Sequence, residues 1–237
     1  MKNIPAPRAI LLALIVASTA PVFSQEKPQS SPPSEDKEST YTKTVNDRAA
    51  KIVATLGIDD PDKATRVRDI IAQQYRNISA IDDERDAKIK AAKQQASENK
   101  EAKEAADAAT KAAQAEAKAK LDKLHGEYLS KLSAELTPEQ VDKVKDGMTY
   151  GKLNVTYNAY LKMLPDLTDE QKKQLREWLL EARENAMDAG SANEKSEWFG
   201  KYKGKINNYL AKAGIDMKKA EKNLTAKPDA SPKSSAK

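Results

Sequence analysis

The chain has 237 residues, with 41 Lys and Arg against 36 Asp and Glu, a formal net charge of +5, one histidine and no cysteine. The absence of cysteine excludes a disulfide framework and the acylated cysteine of a lipoprotein, and a single histidine excludes a histidine-based metal site or triad within one chain. Charges of both signs are mixed along the sequence, so nucleic acid is not an expected partner; no catalytic motif is visible and no cofactor is expected.

The first residues, MKNIPAPRAILLALIVASTAPVFSQE, place Lys2 and Arg8 ahead of an apolar run from Ala9 to Ala17. Val22 and Ser24 fit the minus-three and minus-one positions of a signal-peptidase site. The run is short for a bilayer span, and no later stretch is apolar enough to serve as one. A cleaved signal over residues 1–24 is therefore expected, yielding an exported, periplasmic or secreted product without stable membrane insertion. Residues 25–43 are rich in Pro, Ser and charge and predict a disordered linker; residues 219–237 predict a disordered, mildly cationic tail.

Between them, residues 44–218 show helical spacing throughout and no period-two alternation, which predicts an all-α domain. A short helix over Val45–Leu56 should end at Gly57. Asp60 and Pro61 then read as N-cap and first residue of a long helix whose apolar face is Val67, Ile70, Ile71, Ile78 and Ile81. From Ala91 to Lys120 the chain is mostly Ala, Lys, Glu, Gln and Asp, strong helix formers with little to bury, before apolar spacing returns at Leu121, Leu124, Tyr128 and Leu132. The economical arrangement is a long antiparallel hairpin over about residues 61–135, turning near Ser97–Glu101, with a mobile alanine-rich tip.

The C-terminal helices, about residues 137–214, begin with capping boxes. Thr137 with Gln140, Thr168 with Gln171 and Ser191 with Glu194 each place a side-chain acceptor at the N-cap and a reciprocal partner three residues later. Gly147, Gly151, Val155 and Thr156 predict a break near Gly151. The helix over Asp169–Ala189 should bury Leu175, Trp178, Leu179, Ala182 and Ala186, and Gly190 should end it.

The last of these helices carries EWFGKYKGKINNYL, Glu197–Leu210. At roughly 100° per residue from Trp198, the stripe of Tyr209, Tyr202, Ala213, Ile206, Phe199 and Leu210 covers about one third of the circumference. Phe199, Ile206 and Leu210 are expected in the core. Lys205, Lys212, Lys201 and Asn208 form a polar strip beside Trp198 and Tyr209, and Gly200, Ala211 and Gly204 form a smooth strip open to close backbone approach. Aromatic rings beside lysines and amides can stack on sugar rings and bond their hydroxyls. The same edge also reads as an amphipathic helix with lysines stretched along it. Tyr157 and Asn158 lie nearby in sequence, and eight of the twelve aromatic residues fall between Tyr150 and Tyr209. The candidate ligand-binding set is therefore Trp198, Tyr209, Lys201, Lys205, Asn208, Tyr157 and Asn158.

The span from LTPEQVDKVKDGMTYG through VTYNAYLKMLPDLTDEQ and EARENAMDAGS to WFGKYKGKINNYL, with AAKIVATLGIDDPDKATRVRDIIAQQY upstream, resembles the secreted bacterial domain-of-unknown-function family 3826. That family carries a sugar-binding label, so the resemblance implies a saccharide or polysaccharide partner. The paired Leu136–Gln140 and Leu167–Gln171 motifs are also similar to those of periplasmic helical chaperones of the Spy and CpxP type, whose partners would be unfolded or envelope proteins. The leading expectation is an exported, non-enzymatic carbohydrate-binding protein. The alternatives are a helical chaperone or envelope-stress protein, and a glycan-active enzyme using carboxylates such as Glu177, Glu181, Glu184 and Asp188.

Overall fold

A computed structural model of the protein describes residues 33–96 and 99–225. Its elements are α1 (Pro33–Val53), α2 (Pro61–Gln95), α3 (Lys100–Glu135), α4 (Pro138–Met148), α5 (Lys152–Met163), α6 (Asp169–Met187), α7 (Ala192–Lys212) and α8 (Met217–Thr225), and the described residues include no strand. The fold is all-α. The expected signal peptide, residues 25–32 of the expected linker, residues 97–98 of the hairpin turn and residues 226–237 lie outside the described residues.

Both expected tails are partly helical. Residues 33–43, read as linker, form the first half of α1. Tyr41 accounts for this extension: its hydroxyl donates to the Tyr75 carbonyl of α2 at 3.0 Å, continuing the stripe of buried Val45, Ala49 and Ile52. At the other end, Gly214 turns the chain with φ 84°. Asp216 then accepts from the Lys219 amide at 3.1 Å, starting α8, which buries Ala220 where a tail was expected.

The helix boundaries follow capping chemistry. Asp60 accepts from the amides of Asp62 and Lys63 ahead of Pro61, and all three capping boxes are closed in both directions. Gly57 adopts φ 64° after α1, as a residue without a Cβ can. The break between α4 and α5 is made by two consecutive left-handed residues, Tyr150 at φ 58° and Gly151 at φ 64°.

Helices α2 and α3 form the antiparallel hairpin, with Arg66 facing Glu135, Glu84 facing Lys120 and Lys88 facing Glu116. Its base packs with α1 and α4 around Val67, Ile71, Tyr128, Leu132, Val144 and Met148. Gly147 lets α1 approach α4, because a Cβ there would come within 2.8 Å of Ile52 Cγ1. A second core joins α5, α6 and α7 through Leu153, Tyr160, Leu175, Leu179, Phe199, Ile206 and Leu210. Each large aliphatic side chain fully buried there contributes about 1.5–3 kcal/mol. Trp178, expected in the buried face, is half-buried against this core.

Candidate functional site

The two cores meet where α6 ends and α7 begins beside the hairpin. A Cβ at Gly190 would fall onto the Asp82 carboxylate of α2, so this glycine is a point of close approach and not a left-handed helix terminator. Helix α6 stops earlier, at Met187, with Asp188 as C-cap. Lys195, 2% exposed, reaches back from α7 and donates to the Ala186 and Met187 carbonyls at 3.0 and 3.3 Å, satisfying acceptors that a helix end leaves open. Its ammonium also lies 5.9 Å from the Tyr75 ring centroid. Burial pulls the Lys195 pKa down to about 8, against the partial support of Asp188.

Charged groups tie the hairpin to this junction. His125 of α3 places Nδ1 at 2.8 Å from Asp188 Oδ2 and Nε2 at 3.6 Å from Glu184 Oε2. The hydrogen bond to Asp188 raises the His125 pKa, desolvation opposes it, and the charges of Asp188 and Glu184 add to the rise. Glu184 also accepts from Lys145 at 2.8 Å. Arg183, 5% exposed, donates to Asp146 at 2.9 Å and Asp142 at 2.8 Å of α4. Arg85 of α2 donates to Asp82 at 2.6 Å and to Asp86 at 2.8 Å, and lies 3.9 Å from Glu194 of α7. The Asp82 carboxyl is pushed above its ordinary value by burial, with Arg85 opposing and Glu194 adding.

Between these ties opens a cleft of about 730 Å³. Its α3 wall is Gln114, Ala117, Lys118, Leu121 and Asp122; its α7 wall is Glu194, Glu197, Trp198 and Lys201; Asp82 and Arg85 of α2, Asn185 of α6, and Asp188, Ala189 and Gly190 of the α6–α7 turn complete it. Trp198 is half-buried, and the Lys201 ammonium sits 4.8 Å from its ring centroid. A ring for apolar contact, with amides and carboxylates for hydroxyl groups around an open cleft, makes a site able to hold a small polar molecule with apolar faces.

The residues expected to bind a ligand separate into three places. Trp198 and Lys201 line the cleft. Lys205 and Tyr209 turn toward α6: the Lys205 ammonium lies 4.6 Å from the Trp178 ring and 3.6 Å from Glu181, and Tyr209 meets Trp178 edge-on at 5.2 Å. Tyr157 lies under Arg176 at 5.8 Å on the α5–α6 side, while Asn158 and Asn208 are exposed. The strip expected to be continuous is thus divided by the packing of α6 on α7. Among the described residues nothing comes within 4 Å of where a Cβ would stand at Gly200 or Gly204, so neither glycine serves a close backbone approach there. Asp82, Arg85, Gln114 and Asp188 were not foreseen as neighbours of Trp198. Gln114, Lys118, Leu121, Asp122 and His125 do share one helical stripe, but their polarity reads as a solvated face. Of the carboxylates weighed for catalysis, Glu184 and Asp188 are held by His125, Lys145 and Arg183, Glu181 faces Lys205, and Glu177 accepts from Gln174 at 3.3 Å. No group of His, Asp and Glu able to hold a metal ion is present among the described residues, and no helix among them is long and apolar enough to cross a membrane.

A family model described as Protein of unknown function (DUF3826) matches residues 42–230. The chain belongs to that family. The match runs from the second half of α1 through α8 and so takes in every element that lines the cleft, including the alanine-rich hairpin. No curated protein matches the chain.

Proposed function

We propose that this member of the family is an exported, non-enzymatic protein that binds carbohydrate in the cleft between the hairpin and α7. The observation that carries the reading is the placement of Trp198, half-exposed, in a 730 Å³ cleft where carboxylates, amides and cationic groups alternate with apolar wall from Ala117, Leu121 and Ala189. A sugar ring offers an apolar face to an indole and hydroxyls to such groups, and the indole N–H is a further donor. The leader-like first 24 residues support export. A chaperone would use an apolar cradle, and the large apolar side chains exposed among the described residues are Tyr150 and Val155, outside the cleft. Calorimetric titration with a panel of neutral, amino and acidic oligosaccharides tests the proposal. Binding to at least one class, weakened at least about tenfold by Trp198→Ala with the helical spectrum intact, is the expected result. Absence of binding across the panel, or binding indifferent to Trp198→Ala, would refute it.

A further inference from the structure

The charged groups around the Trp198 cleft are unequally committed. Asp82, Asp122, Asp188, Glu194 and Glu197 line it against Arg85, Lys118 and Lys201. All three cations are engaged: Arg85 by Asp82, Asp86 and Glu194, Lys118 by both oxygens of Asp122 at 2.8 and 2.6 Å, and Lys201 by the face of the Trp198 ring. On the acidic side, Glu197, next to Trp198 in sequence, makes no hydrogen bond or ion pair among the described residues. Asp188 bonds His125 through Oδ2 only, and its Oδ1 is buried without a partner. The Asp82 carboxyl, raised chiefly by burial and held back by Arg85, is pushed further the same way by Glu194, Asp86 and Asp83, so five carboxylates against three cations leave the walls in acidic excess.

A carboxylated or sulfated ligand entering here would add to that acidic excess, and the one cleft cation it could meet without breaking an ion pair is Lys201, already seated on the Trp198 ring. An ammonium group would instead meet an unpaired carboxylate beside the ring, where a charge-assisted hydrogen bond is stronger than a neutral one. Resting on the carbohydrate reading of this cleft, we infer that its ligand is a saccharide bearing a free amine, of the hexosamine type, in preference to an acetylated or acidic sugar. The ring lies against Trp198, the amine is drawn to Glu197, and hydroxyls have the Gln114 and Asn185 amides within the same walls.

The test titrates the full chain, at a pH that keeps the amine protonated, with glucosamine oligomers, N-acetylglucosamine oligomers and oligogalacturonate of equal length. The glucosamine oligomer should bind about tenfold more tightly than its acetylated counterpart. Glu197→Gln, a substitution at an exposed position, should bring the two close together, and oligogalacturonate should bind most weakly. Equal binding of amine and acetylated oligomers, or preference for the uronate, overturns the amine inference and leaves the carbohydrate reading standing. Glucosamine binding that survives both Trp198→Ala and Glu197→Gln and vanishes in salt marks diffuse attraction and also overturns it. If none of the three binds and the wider panel also fails, the carbohydrate reading falls and takes the inference with it.

Discussion

The α2–α3 hairpin and the α6–α7 pair are both antiparallel helix pairs joined by short turns, yet different forces hold them. In α6–α7, Trp178 faces Tyr209 and Glu181 faces Lys205 across a core of fully buried Leu175, Leu179, Ile206 and Leu210. In the outer hairpin the buried groups are the methyls of Ala92, Ala113 and Ala117, flanked by the ladder of Glu84, Lys88, Glu116 and Lys120 at 2.7–2.9 Å. Those four side chains are each more than two-fifths exposed, so water and salt compete for every rung. Helix propensity is ample in both pairs. The comparison teaches that propensity makes a helix, while apolar area removed from water decides how firmly it is kept.

The widest separation between the two pairs should come from truncation. Leu179→Ala removes a fully buried side chain and should lower unfolding free energy by about 3 kcal/mol, whereas Ala113→Gly in the hairpin should lower it by about 1 kcal/mol, mostly through backbone entropy. Urea titrations followed by helical circular dichroism measure both, and similar losses would erase the contrast.

Next in size is the lysine that pins the pairs together. The folded pKa of Lys195 is about 8, below the ordinary 10.5, so between those values the unfolded chain holds a proton that the folded one has released. Stability from this group therefore rises with pH over that window, by up to about 3 kcal/mol, until ionising tyrosines oppose it near pH 10. Their opposition has the same logic reversed: burial pushes Tyr75 up to about 12, so the unfolded tyrosine ionises first. Lys195→Met should remove the rise between pH 8 and 10 in thermal melts, and an unchanged rise would assign it elsewhere.

A smaller effect belongs to His125, whose resonances stand alone because the chain has no other histidine. Its folded pKa is raised, chiefly by Asp188, so its contribution is complete below pH 6.5 and is lost as pH climbs through the folded value. About 1 kcal/mol is expected from a partly exposed charged hydrogen bond. An NMR titration should show the raised value, and Asp188→Asn should return it toward normal.

The smallest global effect is expected in the ladder. Lys120 and then Lys88 hold the Glu84 carboxyl down to about 2, yet the side chain is nearly half exposed and screened by water, so Glu84→Gln should leave the global unfolding midpoint unmoved. Faster amide exchange in the outer hairpin at low salt, with the difference gone in high salt, is the signature to seek. A large drop in the midpoint would mean that the ladder is structural after all.

Much of this architecture was legible because it is written locally. Caps at Asp60, Thr137, Thr168 and Ser191, the turn at Gly57 and the break at Gly151 each depend on residues a few positions apart. Phe199, Ile206 and Leu210 were readable as core for the same reason, since one helix turn carries the pattern. The cleft was not, because its walls come from α2, α3, the end of α6 and α7, and nothing local states which side of the hairpin α7 will face. The close approach at Gly190 and the reach of Lys195 settle that orientation, and neither has a sequence pattern of its own. The ends of the helical region were misjudged for a related reason: Tyr41 and Ala220 order their segments through contacts with distant helices, while the surrounding composition is that of a tail.

Helix α6 gives the molecule a crossbeam. Leu175 to Ala186 belong to the core shared with α5 and α7, but Met187, one residue further along the same rigid rod, is fully buried in the core of α1 to α4. Neither core can loosen at that end without levering the other, so heat should take the α1–α4 base and the α5–α7 unit apart in a single calorimetric transition, despite two hydrophobic centres.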